Sequence, residues 1–142
     1  MEAGIERKLN FPASAVWSLI SNFGDRHWSN TIDKVVVEGE GIGAVRKMYI
    51  GDAPPCVERL EFLDPENMTL SISIVENNPI ALDDFLGTCK VIALDEHSCK
   101  VDWKGTGTLS GGTVEEVHTM MKAIYNGTVD SIEAYLSKAS TA

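Results

Sequence analysis

From Thr113 onward, Val114, Val117, Met121, Ile124, Tyr125, Thr128, Ile132, Tyr135 and Leu136 recur at spacings of three and four. That period predicts one amphipathic helix over 113–137, more than six turns at ~3.6 residues per turn. Thr113 and Glu116 have the spacing of a capping box that would start it. Its apolar stripe must be covered, and the preceding chain is suited to cover it. Segments 34–38, 44–50, 57–63, 68–75, 85–94 and 100–107, with 5–9 ahead of them, read as strands from their alternation or β-branched content. Short breaks rich in Gly, Pro, Asn and Asp separate them, and successive strands on short loops imply an antiparallel sheet. Between 9 and 34, Pro12 opens a helical stretch with Val16, Trp17 and Ile20 on one stripe and Ser14 near its cap, and 22–30 is expected to form a second short helix or a turn. The predicted class is α+β, a curved antiparallel sheet of about seven strands around a long C-terminal helix, with two short helices after the first strand. Side chains rarely fill all the space between a bent sheet and one helix, so an internal cavity is part of the expectation.

The chain has 142 residues, 44% of them hydrophobic and 23% charged, which fits one domain over 1–142 with a sizeable core. No apolar run approaches the ~18–20 residues of a membrane span. The polar start MEAGIERKLN lacks the apolar region of a signal peptide, so a cytoplasmic location is expected. Twenty-one acidic and 12 basic side chains give a net charge of −9. That balance argues against nucleic acid or an anionic membrane as partner, since both are held mainly by basic patches. Cys56, Cys89 and Cys99 are odd in number and widely spaced, which suits reduced thiols. His27, His97 and His118 are scattered and no metal-binding spacing occurs, so neither a metal nor a cofactor is expected.

The glycines invite a phosphate-binding reading. Gly39, Gly41 and Gly43 run into a strand instead of a helix, so the dinucleotide fingerprint fails. Gly105, Gly107, Gly111 and Gly112 precede a helix, and there an anion site and a simple strand end with a helix cap both fit.

Alternation also assigns faces. Met48, Leu60, Leu70, Ile72, Phe85 and Trp103 fall on inner faces, as does Phe62, while His118, Met121 and Tyr125 lie on or beside the helix stripe. With Trp28 near the mouth, these are the expected ligand-binding residues, core packing being the alternative for those on the helix. Arg46 and Glu58 stand out as charges on otherwise apolar faces. A hairpin centred on Asp52 puts residues whose numbers sum to 104 opposite one another, so Arg46 faces Glu58. Such a pair fits either an ion pair that orders the sheet or the polar focus of a site.

The stretches FPASAVWSLISNFGDRHW, VEGEGIGAVRKM, ERLEFLDPENM and the VDW ending in Trp103 resemble the polyketide cyclase/dehydratase-like proteins of the START, or Bet v 1-like (SRPBCC), helix-grip superfamily. Locally, 37–68 resembles the plant lachrymatory factor synthases. The resemblance implies a helix-grip domain, a small hydrophobic ligand (a lipid, a polyketide-like or an aromatic compound) and a monomer or homodimer. It further implies a catalytic role for Arg46 and Glu58 and a place in the pocket for Trp103. Cofactor-free acid–base cyclisation, dehydration or isomerisation would suit these residues. A carrier or sensor without turnover is the alternative, and an interaction module a third.

Overall fold

The computed structural model describes residues 1–141. Its elements are β1 (Glu2–Leu9), α1 (Ala13–Ser21), β2 (Lys34–Glu38), β3 (Val45–Tyr49), β4 (Cys56–Asp64), a one-turn 3-10 helix (Pro65–Asn67), β5 (Thr69–Glu76), β6 (Leu82–Ala93), β7 (Cys99–Leu109) and α2 (Val114–Thr141). The seven strands form one antiparallel sheet in the order β1-β7-β6-β5-β4-β3-β2. Strands β2 to β7 are a plain meander, and β1 closes onto β7. This is the α+β helix-grip architecture that the strand run and the terminal helix period predict.

Helix α2 buries Val117, Met121, Tyr125, Val129 and Ile132 against the sheet. Thr113 starts it as expected: its Oγ1 accepts from the Glu116 backbone N–H at 3.1 Å and donates to Glu116 Oε1 at 3.1 Å. Arg7 ties the outer strand β1 to α2. Its guanidinium donates to the Asn126 backbone oxygen and Oδ1 at 3.2 Å, to Asp130 at 2.6 Å, and to Glu133.

Several local expectations fail. Only one helix follows β1; segment 22–30 forms turns. Gly24 and a polar run give that segment no apolar stripe long enough to repay helix nucleation. Helix α1 takes Pro12 at its N-cap with no side-chain cap, so Ser14 is an exposed helical residue. Phe62 was expected inside and is 46% exposed. The β4–β5 register shifts between Leu60 and Phe62, so one extra residue reverses the alternation and turns Phe62 out. Gly105 and Gly107 lie inside β7, where they accept close approach. A Cβ on Gly105 would stand 2.4 Å from Met121 Cε and 2.6 Å from Phe85 Cε2. Packing accounts for these two glycines, which lie within the strand and not at the N-terminus of α2, so they form no anion site there.

Candidate functional site

Between the sheet and α2 lies a cavity of about 450 Å³, within the range of small-molecule sites. Leu70, Ile72 and Ile74 of β5, Phe85 and Gly87 of β6, Trp103 of β7 and Tyr125 of α2 form its apolar walls. Trp103 and Tyr125 stack with ring centroids 5.3 Å apart and planes 19° apart. Thr31, Ile50, Pro79 and Ile124 are lining residues exposed to solvent, and they mark the mouth.

Strands β3 and β4 supply the polar wall. The hairpin register is the one the turn arithmetic predicts, with Arg46 opposite Glu58 and Met48 opposite Cys56. Arg46 Nε and Nη2 both donate to Glu58 Oε1, at 2.9 and 2.6 Å. Arg46 Nη1 donates to the Phe23 backbone oxygen at 3.2 Å, and its guanidinium carbon lies 4.3 Å from the Phe23 ring centroid. The side chain of Arg46 is 3% exposed and that of Glu58 12%. Glu58 Oε2 accepts no hydrogen bond from any described residue. The carboxylate is therefore held through one oxygen, while the other is left without a protein donor in the cavity wall.

Of the residues expected at the site, Arg46, Met48, Glu58, Leu70, Ile72, Phe85, Trp103 and Tyr125 line the cavity. Leu60, Met121, Trp28 and His118 do not. Leu60 packs in the core beyond the Arg46–Glu58 pair, beside Ala44. The pair is the cavity floor, with Met48 and Cys56 open on one side of it and Ala44 and Leu60 packed on the other. Met121 is fully buried, its methyl filling the space that Gly105 leaves. Trp28 is buried, with the Arg26 guanidinium 4.8 Å above its ring, so Arg26 meets the cavity in its place. His118 follows Val117 and lies half-buried to the side of the buried stripe of α2.

The sequence pattern missed Arg26. It lies in the turns between α1 and β2, where no period indicates a direction. The residue is half-buried, and its side chain lines the cavity. Burial first, and then repulsion from Arg46, push its pKa down to about 9, and Glu58 draws it partly back. Among the described residues none accepts a hydrogen bond from its side chain or forms an ion pair with it. The Tyr125 hydroxyl is likewise buried without a partner, and burial followed by the nearby Glu58 charge raises its pKa. A buried polar group left unpaired costs about 1–3 kcal/mol.

Cys56 lines the cavity, and burial, helped by Glu58, pushes its thiol up to about 12. A protonated thiol is a poor nucleophile. Iodoacetamide labelling of Cys56 at pH 8, followed by mass spectrometry, should run ~10³-fold slower than for a free thiol of pKa ~8.5. Its rate should rise about tenfold per pH unit from pH 8 without levelling off near pH 9, as a free thiol does, and free-thiol reactivity at pH 8 would contradict the burial described.

The sequence matches the family described as "Polyketide cyclase / dehydrase and lipid transport" over residues 4–137. Among curated proteins no sequence match is found. Solved structures share the fold. An uncharacterised protein from Bacillus thuringiensis superposes with a TM-score of 0.85 at 24% identity, covering 96% of this chain and 99% of its own. The protein XoxI from Bacillus cereus superposes at 0.83, with 24% identity and 95% of each chain covered. Norcoclaurine synthase from Thalictrum flavum, solved with dopamine and hydroxybenzaldehyde, superposes at 0.74 with 14% identity, over 97% of this chain and 87% of its own.

Proposed function

The chain belongs to the polyketide cyclase/dehydrase and lipid transport family, and from that premise we propose that its cavity binds a small, mainly apolar molecule and exchanges a proton with it through Glu58. The observation that carries this reading is a carboxylate in the wall of an apolar cavity, tied to Arg46 through one oxygen only. Glu58 takes a proton from a carbon or hydroxyl of the ligand and can return it elsewhere on the same molecule. The Arg46 guanidinium stabilises the negative charge that develops on a ligand oxygen. Proton transfer of this kind suffices for cyclisation, dehydration or isomerisation without a cofactor, and a positioned base is typically worth ~10²–10⁴-fold. Leu70, Ile72, Phe85, Trp103 and Tyr125 hold the apolar part. A second reading, a carrier without turnover, is favoured by the three hydrogen bonds that already occupy Arg46.

Two probes separate these readings without knowledge of the natural ligand. The neutral fluorophore N-phenyl-1-naphthylamine tests the cavity. It should bind, and Trp103→Ala should weaken it by about tenfold, or ~1.4 kcal/mol. The compound 5-nitrobenzisoxazole tests the base. Removal of its ring C–H proton breaks the N–O bond and releases a coloured cyanophenolate. The protein should accelerate this by at least ~10²-fold over a free carboxylate, and Glu58→Gln should abolish the acceleration while the fluorophore still binds. Fluorophore binding without any acceleration would select the carrier, and no fluorophore binding would remove both readings.

A further inference from the structure

The cavity holds more positive than negative charge. Two guanidinium groups, Arg26 and Arg46, meet one carboxylate, Glu58. Glu58 is bound to Arg46 by two hydrogen bonds, and among the described residues Arg26 has no ion pair or hydrogen-bond acceptor of its own. Cys56 and Tyr125 cannot supply the missing charge, because burial keeps both protonated at neutral pH. The remaining lining is apolar apart from Thr31 and Thr128, which carry no charge. An enclosed cation without an anion is costly, and proteins pair such a group or leave it to a ligand. Here it lies in the space a ligand would occupy, with the unpaired Tyr125 hydroxyl as a second donor on the wall.

We propose that the natural occupant of the cavity is an amphipathic acid, with one anionic oxygen head, a carboxylate or its equivalent, seated on Arg26 and an apolar body against Phe85, Trp103 and Tyr125. This rests on the proposed cavity binding and narrows it to a ligand class. The guanidinium fork matches two oxygens of one carboxylate, which a single lysine ammonium would not do. The Arg26 guanidinium carbon lies 4.8 Å from the Trp28 ring centroid, a contact that helps hold the group in place. The charges of Arg46 and Glu58 both act on Arg26, so a head seated there lies in the same polar region of the cavity as the proposed base.

The test compares two ligands of nearly equal shape, 1-naphthaleneacetate and 2-(1-naphthyl)ethanol, by displacement of N-phenyl-1-naphthylamine at neutral pH. An apolar pocket without a free cation prefers the alcohol, since a carboxylate loses more hydration on entry. The wild-type protein should prefer the acid by at least tenfold. Arg26→Met should erase or invert that preference while the neutral fluorophore still binds, and Arg26→Lys should restore part of it. Equal affinity for acid and alcohol in the wild type would overturn the proposal and leave the apolar cavity standing. So would an acid preference that survives Arg26→Met. Failure of the fluorophore to bind the wild type would overturn the cavity reading and this proposal together. Should Arg26→Met not fold, the Arg26→Lys protein decides: a preference unchanged in it also overturns the assignment.

Discussion

Arg46→Met should lower the free energy of unfolding by about 3–5 kcal/mol, as expected when one partner of a buried ion pair is removed. Both groups are enclosed, Arg46 at 3% and Glu58 at 12% side-chain exposure, so little of the effect is screened by solvent. The variant removes both Arg46 donors to the Glu58 carboxylate and the Arg46 Nη1 hydrogen bond to the Phe23 backbone oxygen. Glu58→Gln should cost roughly half as much. Its amide oxygen still accepts from Arg46, and the Phe23 ring and carbonyl still hold the guanidinium. The double variant Arg46→Met with Glu58→Gln should be more stable than Arg46→Met alone, because no lone charge remains. Urea unfolding of the four proteins closes this cycle. Additive losses, or a cost below ~1 kcal/mol for Arg46→Met, would mean that the pair is not coupled as its geometry implies. The cycle also bears on function, since a base in this wall must keep its place when its charge is removed.

That the pair could be found at all follows from the two periods of the chain. Period two fixed which side chains of β3 and β4 point inward, and the turn around Asp52 fixed their register, so two distant charges could be set opposite each other by counting. The same reasoning fails where counting breaks. The extra residue between Leu60 and Phe62 shifts the register, and nothing in VERLEFLD marks it, so Phe62 faces solvent. Alternation gives a face but no depth along the strand, which is why Leu60, on the expected face, lies in packed core beyond the cavity floor. On α2 the stripe is broad enough to include Met121 and His118. Whether a stripe residue meets space or another side chain depends on its counterpart across the gap, here Gly105, whose missing Cβ admits Met121. Arg26 was beyond reach for another reason. It lies in turns, and the direction of a turn side chain is set by the tertiary contacts of its neighbours, in this case Trp28.

Gly4→Ala should destabilise the protein by about 3 kcal/mol, the upper end of ordinary overpacking. Gly4 pairs with Lys104 in the β1–β7 ladder, and a Cβ there would lie 2.1 Å from the Trp103 backbone oxygen and 2.8 Å from Lys104 Cα. Both atoms belong to the backbone, so no rotamer change relieves the clash and one strand has to move. Gly105 differs, because its nearest obstruction is the mobile end of Met121, followed by the Phe85 ring. Strand β1 is anchored on both sides of Gly4, by a ladder running from Glu2↔Thr106 to Leu9↔Cys99 and by Arg7 on α2. A shift at Gly4 is therefore resisted along the whole strand. It also displaces the Trp103 backbone, whose indole stacks on Tyr125 in the cavity wall, so affinity for N-phenyl-1-naphthylamine should fall with stability. Gly127→Ala is the control of opposite sign. It lies within α2 with nothing inside 4 Å of the added Cβ, and alanine there should raise stability by ~0.5–1 kcal/mol through helix propensity. Urea unfolding that puts Gly4→Ala within ~0.5 kcal/mol of wild type would show that β1 can move away from β7 without strain. The close approach at Trp103 would then not be what holds that wall of the cavity in place.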